Sequence, residues 1–139
     1  MKAVIAYESV GFFFPAGAVP TPPPLWNGTQ FTASANILAA MPIAPADFQK
    51  LTQVPIQLIY GDHIPTTPVP VYGFDEWRVL VAVAQEFVTA VNAQGGKASF
   101  LSLSKAALFG NTHFAFSDLN NVQVADLLSG FLHAQGLDR

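Results

Sequence analysis

From residue 56 to residue 136 the chain alternates between two hydrophobic periods, and this alternation restricts the fold more than any other feature. Ile56 to Tyr60 reads as a strand, bounded by Pro55 and Gly61. Asp75-Glu76 then opens a long helix in which Trp77, Leu80, Val81, Ala84, Phe87, Val88 and Val91 recur at helical spacing until Gly95-Gly96 stops it. Ala98 to Leu103 is the next strand. Asn120 or Asn121 caps a last helix with a buried stripe of Val124, Leu127, Leu128, Phe131 and Leu132, ended by Gly136. Strands and helices in this order, joined by right-handed crossovers, make a parallel sheet covered by helices.

The first third of the chain is less regular. Val4 to Tyr7 reads as a short buried strand ending at Glu8. Phe12 to Leu25, rich in Pro, Gly and Phe, reads as an irregular loop. Thr32 to Met41 suggests a helical turn or two, and Asp47 to Leu51 a short helix before Pro55. The expected class is therefore α/β, with about three parallel strands flanked by helices and a lid-like insertion over about 11–45. Met1 to Glu8 mimics a signal peptide, but Glu8 and Pro15 interrupt the apolar stretch too early. A core strand placed so abruptly at the start leads us to expect a part of a longer domain.

Composition points the same way. Half of the 139 residues are hydrophobic (51%) and only 11% are charged, a low charge density for a free-standing domain. Six Lys and Arg, scattered singly, and a net charge of -3 leave no footprint for nucleic acid or an anionic membrane surface. No apolar run approaches the ~18 residues of a membrane span. With no cysteine, disulfides and thiolate metal sites are excluded, while the compartment stays open. Asp62-His63 is no metal signature without further ligands at matching spacing. No metal or cofactor is expected.

Chemistry concentrates at the ends of the three strands. Glu8, Asp62 and the Gly110-Asn111-Thr112-His113-Phe114 loop all follow strand carboxyl ends, which lie on one edge of a parallel sheet. A carboxylate beside a histidine is what acyl transfer needs. The histidine takes a nucleophile's proton, and the carboxylate fixes its tautomer and stabilises the imidazolium. Either acid is available for this, and Asp62 has a plainer reading as a turn carboxylate bonding nearby backbone N–H groups. Asn111 is expected to hold the loop through side-chain bonds to backbone. Phe12, Phe13, Phe14 and Trp26, with Phe31, are candidates for an acyl or aryl pocket, or for ordinary packing. Trp77 reads as a packing anchor and His133 as solvated. The nucleophile is missing: none of the seven serines lies in a G-x-S-x-G elbow.

The blocks Val54-Pro55-Ile56-Gln57-Leu58-Ile59-Tyr60-Gly61-Asp62-His63-Ile64, Phe87 to Lys97, and Gly110-Asn111-Thr112-His113 followed by Asn120 to Asp126 resemble the C-terminal half of an α/β-hydrolase. The resemblance spans 54–135 and is closest to the atypical bacterial esterase branch, where the triad acid ends the strand after the nucleophile elbow. It implies Glu8, in Ala6-Tyr7-Glu8, as acid and His113 as base. Asp62 is the alternative, since most α/β-hydrolases place the acid after the following strand. The expectation is a serine-esterase-like fragment acting on a small-molecule ester, with its serine and oxyanion donors in a missing N-terminal half. Alone it is expected to be inactive. The alternative is a non-catalytic half-domain that binds or oligomerises through a bare sheet edge.

Overall fold

The computed structural model describes residues 1–31 and 39–138. In chain order its elements are β1 (Val4–Tyr7), β2 (Phe12–Pro15), β3 (Ala40–Ile43), α1 (Pro45–Leu51), β4 (Pro55–Tyr60), α2 (Tyr72–Ala93), β5 (Lys97–Ser102) and α3 (Asn121–Ala134). Short 3₁₀ turns at Ser104–Ala106 and Ala115–Ser117 lie between β5 and α3. The central sheet is parallel, in the order β1-β4-β5. Its register pairs Tyr7 with Ile59 and Tyr60 with Ser102, so all three carboxyl ends finish at one edge.

The alternation along β4 divides the core. Ile56, Leu58 and Tyr60 face a large cluster with Val79, Val83 and Phe87 of α2, all nearly inaccessible to solvent. Each such side chain taken from water contributes about 1.5–3 kcal/mol. Ile59 faces the other way, into a smaller cluster with Leu103, Ala115 and Val124. α2 starts one turn before Asp75, at Tyr72, with no side-chain cap. Asp75 is thereby brought inside the first turn, where an acid suits the helix dipole.

Several expectations are corrected. Phe12 to Leu25 is not wholly irregular, because β2 pairs in parallel with β3 as a second, two-stranded sheet. Phe12 and Phe14 pack on Phe87, at centroid distances of 5.0 and 6.1 Å, while Phe13 points to solvent. The helical turns expected over Thr32 to Met41 fall largely on 32–38, outside the described residues, and Ala40 and Met41 are already in β3. The stripe on α3 is buried only at Val124; Leu127, Leu128, Phe131 and Leu132 stay half-buried. α3 packs mainly on the Ala115–Ser117 turn rather than across the sheet, which leaves that stripe thinly covered. Asn120 does not cap α3 with its side chain.

Candidate active site

Glu8 follows the last residue of β1 and continues the ladder through its N–H to Ile59 O at 2.9 Å. Its φ of 50° lies in the left-handed region, which is uncommon for a residue with a side chain. That turn aims the carboxylate inward, where the side chain is only 5% exposed. Oε1 accepts the Gly61 N–H at 2.5 Å, and Oε2 lies 2.8 Å from His113 Nδ1. Buried, Glu8 is compensated by both bonds. A carboxylate only accepts, so Nδ1 carries a ring proton, and in the neutral imidazole Nε2 presents its lone pair. The His113 side chain is 51% exposed.

Asp62, the other acid, is turned to a different task. Its Oδ2 accepts from the Gly110 N–H at 2.7 Å and its Oδ1 from the Asn111 N–H at 3.0 Å. The structure brings Glu8 to the ring of His113 and Asp62 to the backbone of the same loop. Asp118 secures the next residue, accepting from Thr112 N–H at 2.7 Å and Thr112 Oγ1 at 3.0 Å. Asn111, expected to bond backbone, instead pairs its buried side-chain amide with that of Asn120, at 2.7 and 3.2 Å. Three successive residues, Gly110, Asn111 and Thr112, therefore have fixed backbones before the histidine side chain makes any bond.

Around this pair opens a cleft of about 910 Å³, walled by Ile64, Val69, Val71, Phe74 and Trp77, with Glu8 and His113 at its edge. The wall is apolar, and among the described residues no lysine or arginine lines it. Phe12, Phe13, Phe14 and Trp26 do not line this cleft. Phe12 and Phe14 belong to the core, and Phe13 and Trp26 are roughly half exposed. His63 and His133 are exposed, the first 3.4 Å from Asp62 Oδ1 and the second 2.6 Å from Asp138 Oδ2. Among the described residues, no three His, Asp or Glu side chains are grouped to hold a metal ion. Nor does any described serine hydroxyl hydrogen-bond His113. Ser102 Oγ bonds Ser104 Oγ at 2.8 Å, and Ser99 Oγ bonds Ile56 O at 3.3 Å.

Three contributors escape the sequence reading. Tyr60 donates its hydroxyl to Ser9 O at 2.5 Å, just beyond Glu8; burial, then the Glu8 charge, push its phenol well above the usual range, so it remains a donor. Gly61 gives Glu8 its backbone N–H. A glycine closing a strand often marks close backbone approach, and that signal was available. A Cβ there would stand 3.0 Å from Glu8 Oε1 and 3.2 and 3.3 Å from the carbonyl oxygens of Asn111 and Thr112. Gly61→Ala should therefore displace the carboxylate, at about 1–3 kcal/mol in urea unfolding. A variant as stable as the parent, with unshifted His113 ring resonances, would refute this crowding. The third is Trp77, whose indole stacks on the His113 ring at a centroid distance of 4.2 Å and 25° between planes.

No family model matches the chain, and no curated protein does. Among solved structures the chain is similar to one described as a novel bacterial esterase, at 33% identity over 70% of this chain, with a TM-score of 0.57. The fold is esterase-like. The chain spans 28% of the length of that esterase.

Proposed function

We propose that this chain is the acid-and-histidine portion of a carboxylic-ester hydrolase of the atypical bacterial branch, working with a serine that its 139 residues do not contain in an elbow. The 2.8 Å approach of His113 Nδ1 to buried Glu8 Oε2 carries this reading. It leaves Nε2, on the far side of the ring, to take the serine proton. The alkoxide then adds to the ester carbonyl, and the imidazolium returns the proton to the departing alcohol. Water, deprotonated by the same nitrogen, hydrolyses the acyl-enzyme. Throughout, Glu8 holds the tautomer and balances the imidazolium charge. Oxyanion donors come with the serine, from the N-terminal half. The apolar cleft suits an uncharged small-molecule ester. The scheme uses no metal and no cofactor.

A different reading, a non-catalytic half-domain that oligomerises, draws support from Phe109, Phe114, Phe116, Leu119 and Val122, all more than half exposed. One experiment separates the two. The purified chain is assayed on a short-chain aryl ester, alone and mixed with or fused behind the serine-bearing N-terminal portion of an esterase of this fold. We expect no hydrolysis above background from the chain alone and clear turnover once the serine is supplied. Hydrolysis by the lone chain would overturn our account of the nucleophile. A silent mixture whose chain self-associates in sedimentation would favour the non-catalytic reading.

A further inference from the structure

We propose that Trp77 is a positioning residue for His113, its indole fixing the plane of the imidazole so that the ring keeps Glu8 on Nδ1 while Nε2 holds one direction. One hydrogen bond fixes a point on a ring but not its plane. About the Nδ1···Oε2 line the imidazole is free to swing, and its outer torsion has a broad, shallow profile. The bonds to Asp62 and Asp118 hold the loop backbone, leaving the side chain to find its own restraint. Core packing does not provide it, since the side chain is half exposed. The indole does: 4.2 Å and 25° describe a stacked pair, an arrangement aromatic rings prefer when offset.

The indole is itself held. Trp77 lies two residues after Asp75, a fully buried carboxylate that accepts from Trp26 N–H at 2.7 Å, Val69 N–H at 3.1 Å and Arg78 Nε at 2.6 Å. Arg78 also donates to Pro24 O at 2.8 Å. The first turns of α2 are thus fastened to the segments on either side. Trp77 is presented to His113 from a rigid support, as an effective positioning group must be. When the ring becomes cationic, the same indole face attracts it.

The geometry concerns the chain alone, and its catalytic meaning rests on the proposed esterase reading, so the test has two arms. The first is NMR of the full chain. We expect contacts between the indole and the His113 ring protons, which the indole ring current displaces upfield. The Nδ1–H should exchange with solvent about tenfold faster in Trp77→Leu, the order of one aromatic pair, and close to the parent rate in Trp77→Phe. Equal exchange in Trp77→Leu and parent, or no contact between the rings, would overturn the proposal. If Trp77→Leu does not fold, the parent contacts and the Trp77→Phe exchange rate decide. The second arm is the serine-supplied enzyme, where Trp77→Leu should lower kcat about tenfold at nearly constant KM, with recovery in Trp77→Phe. A raised KM at unchanged kcat would make Trp77 a substrate contact instead. An assembly with no turnover sinks the esterase reading, and the first arm still judges the positioning.

Discussion

Replacing His113 by alanine in the serine-supplied enzyme is expected to lower kcat by about 10⁴-fold or more. Without the imidazole the serine keeps its proton, and no other described side chain stands where Nε2 would serve. Glu8→Gln should follow at roughly 10³–10⁴-fold. A glutamine at Oε2 can turn an amide N–H toward Nδ1, which selects the tautomer with its proton on the wrong nitrogen. Asp62→Asn changes a different part of the site. One of the two backbone N–H groups of Gly110 and Asn111 would meet a donor instead of an acceptor, loosening the loop without touching the ring. We expect about a tenfold loss for that variant, of the order of one misplaced hydrogen bond. Steady-state rates on one ester rank the three. A greater loss for Asp62→Asn than for Glu8→Gln would transfer the role of acid to Asp62.

The largest loss of stability is expected at Asp75. Asp75→Ala strands the Arg78 guanidinium, whose side chain is only 11% exposed, and orphans the N–H groups of Trp26 and Val69. Removing one member of a buried pair costs about 3–5 kcal/mol. Thermal and urea unfolding should register it, and a loss below about 1 kcal/mol would contradict the role given to this carboxylate. The bonds from Arg78, helped by those from Val69 and Trp26, hold the Asp75 carboxyl at about 2, against an ordinary value of 3.8. A lowered folded-state value means that the unfolded chain binds the proton first as pH falls. The contribution of Asp75 is therefore complete above about pH 4 and disappears as pH falls toward 2. In Asp75→Asn that component of the acid dependence should be missing.

Much of this fold can be read from periodicity. β1, β4 and β5 were expected within a residue or two, because strands of a parallel sheet read as short apolar runs, and Pro55 and Gly61 bound β4 while Gly96 precedes β5. β2 was hidden for a specific reason: Phe12, Phe13 and Phe14 are the same residue, so the period of two that sorts them in, out and in leaves no trace in the letters. The early start of α2 was hidden by the lack of a capping residue at Val71 and by Gly73 in its first turn. In the site, the meeting of strand ends was legible because a parallel sheet requires it. The bonds of Asp75 reach back to Trp26, 49 positions earlier, and no local pattern encodes such a link. Trp77 was hidden by its own regularity: with Leu80 and Val81 it continues the buried stripe of α2, so spacing alone assigns it to the core. Its stack on His113 depends on where α2 begins relative to the sheet edge, which is a tertiary fact.

The backbone at residue 8 has a consequence for anyone wishing to make this protein hardier. A side chain held at a φ of 50° costs about 1–2 kcal/mol relative to ordinary backbone geometry. Glycine would adopt that geometry without strain and keep the N–H that extends the ladder to Ile59. Judged by backbone preference alone, position 8 ranks among the first to redesign. The exchange would also delete the carboxylate that holds His113. Durability and the geometry of the cleft compete at this position, and a stabilising screen blind to the histidine would resolve the contest against the site.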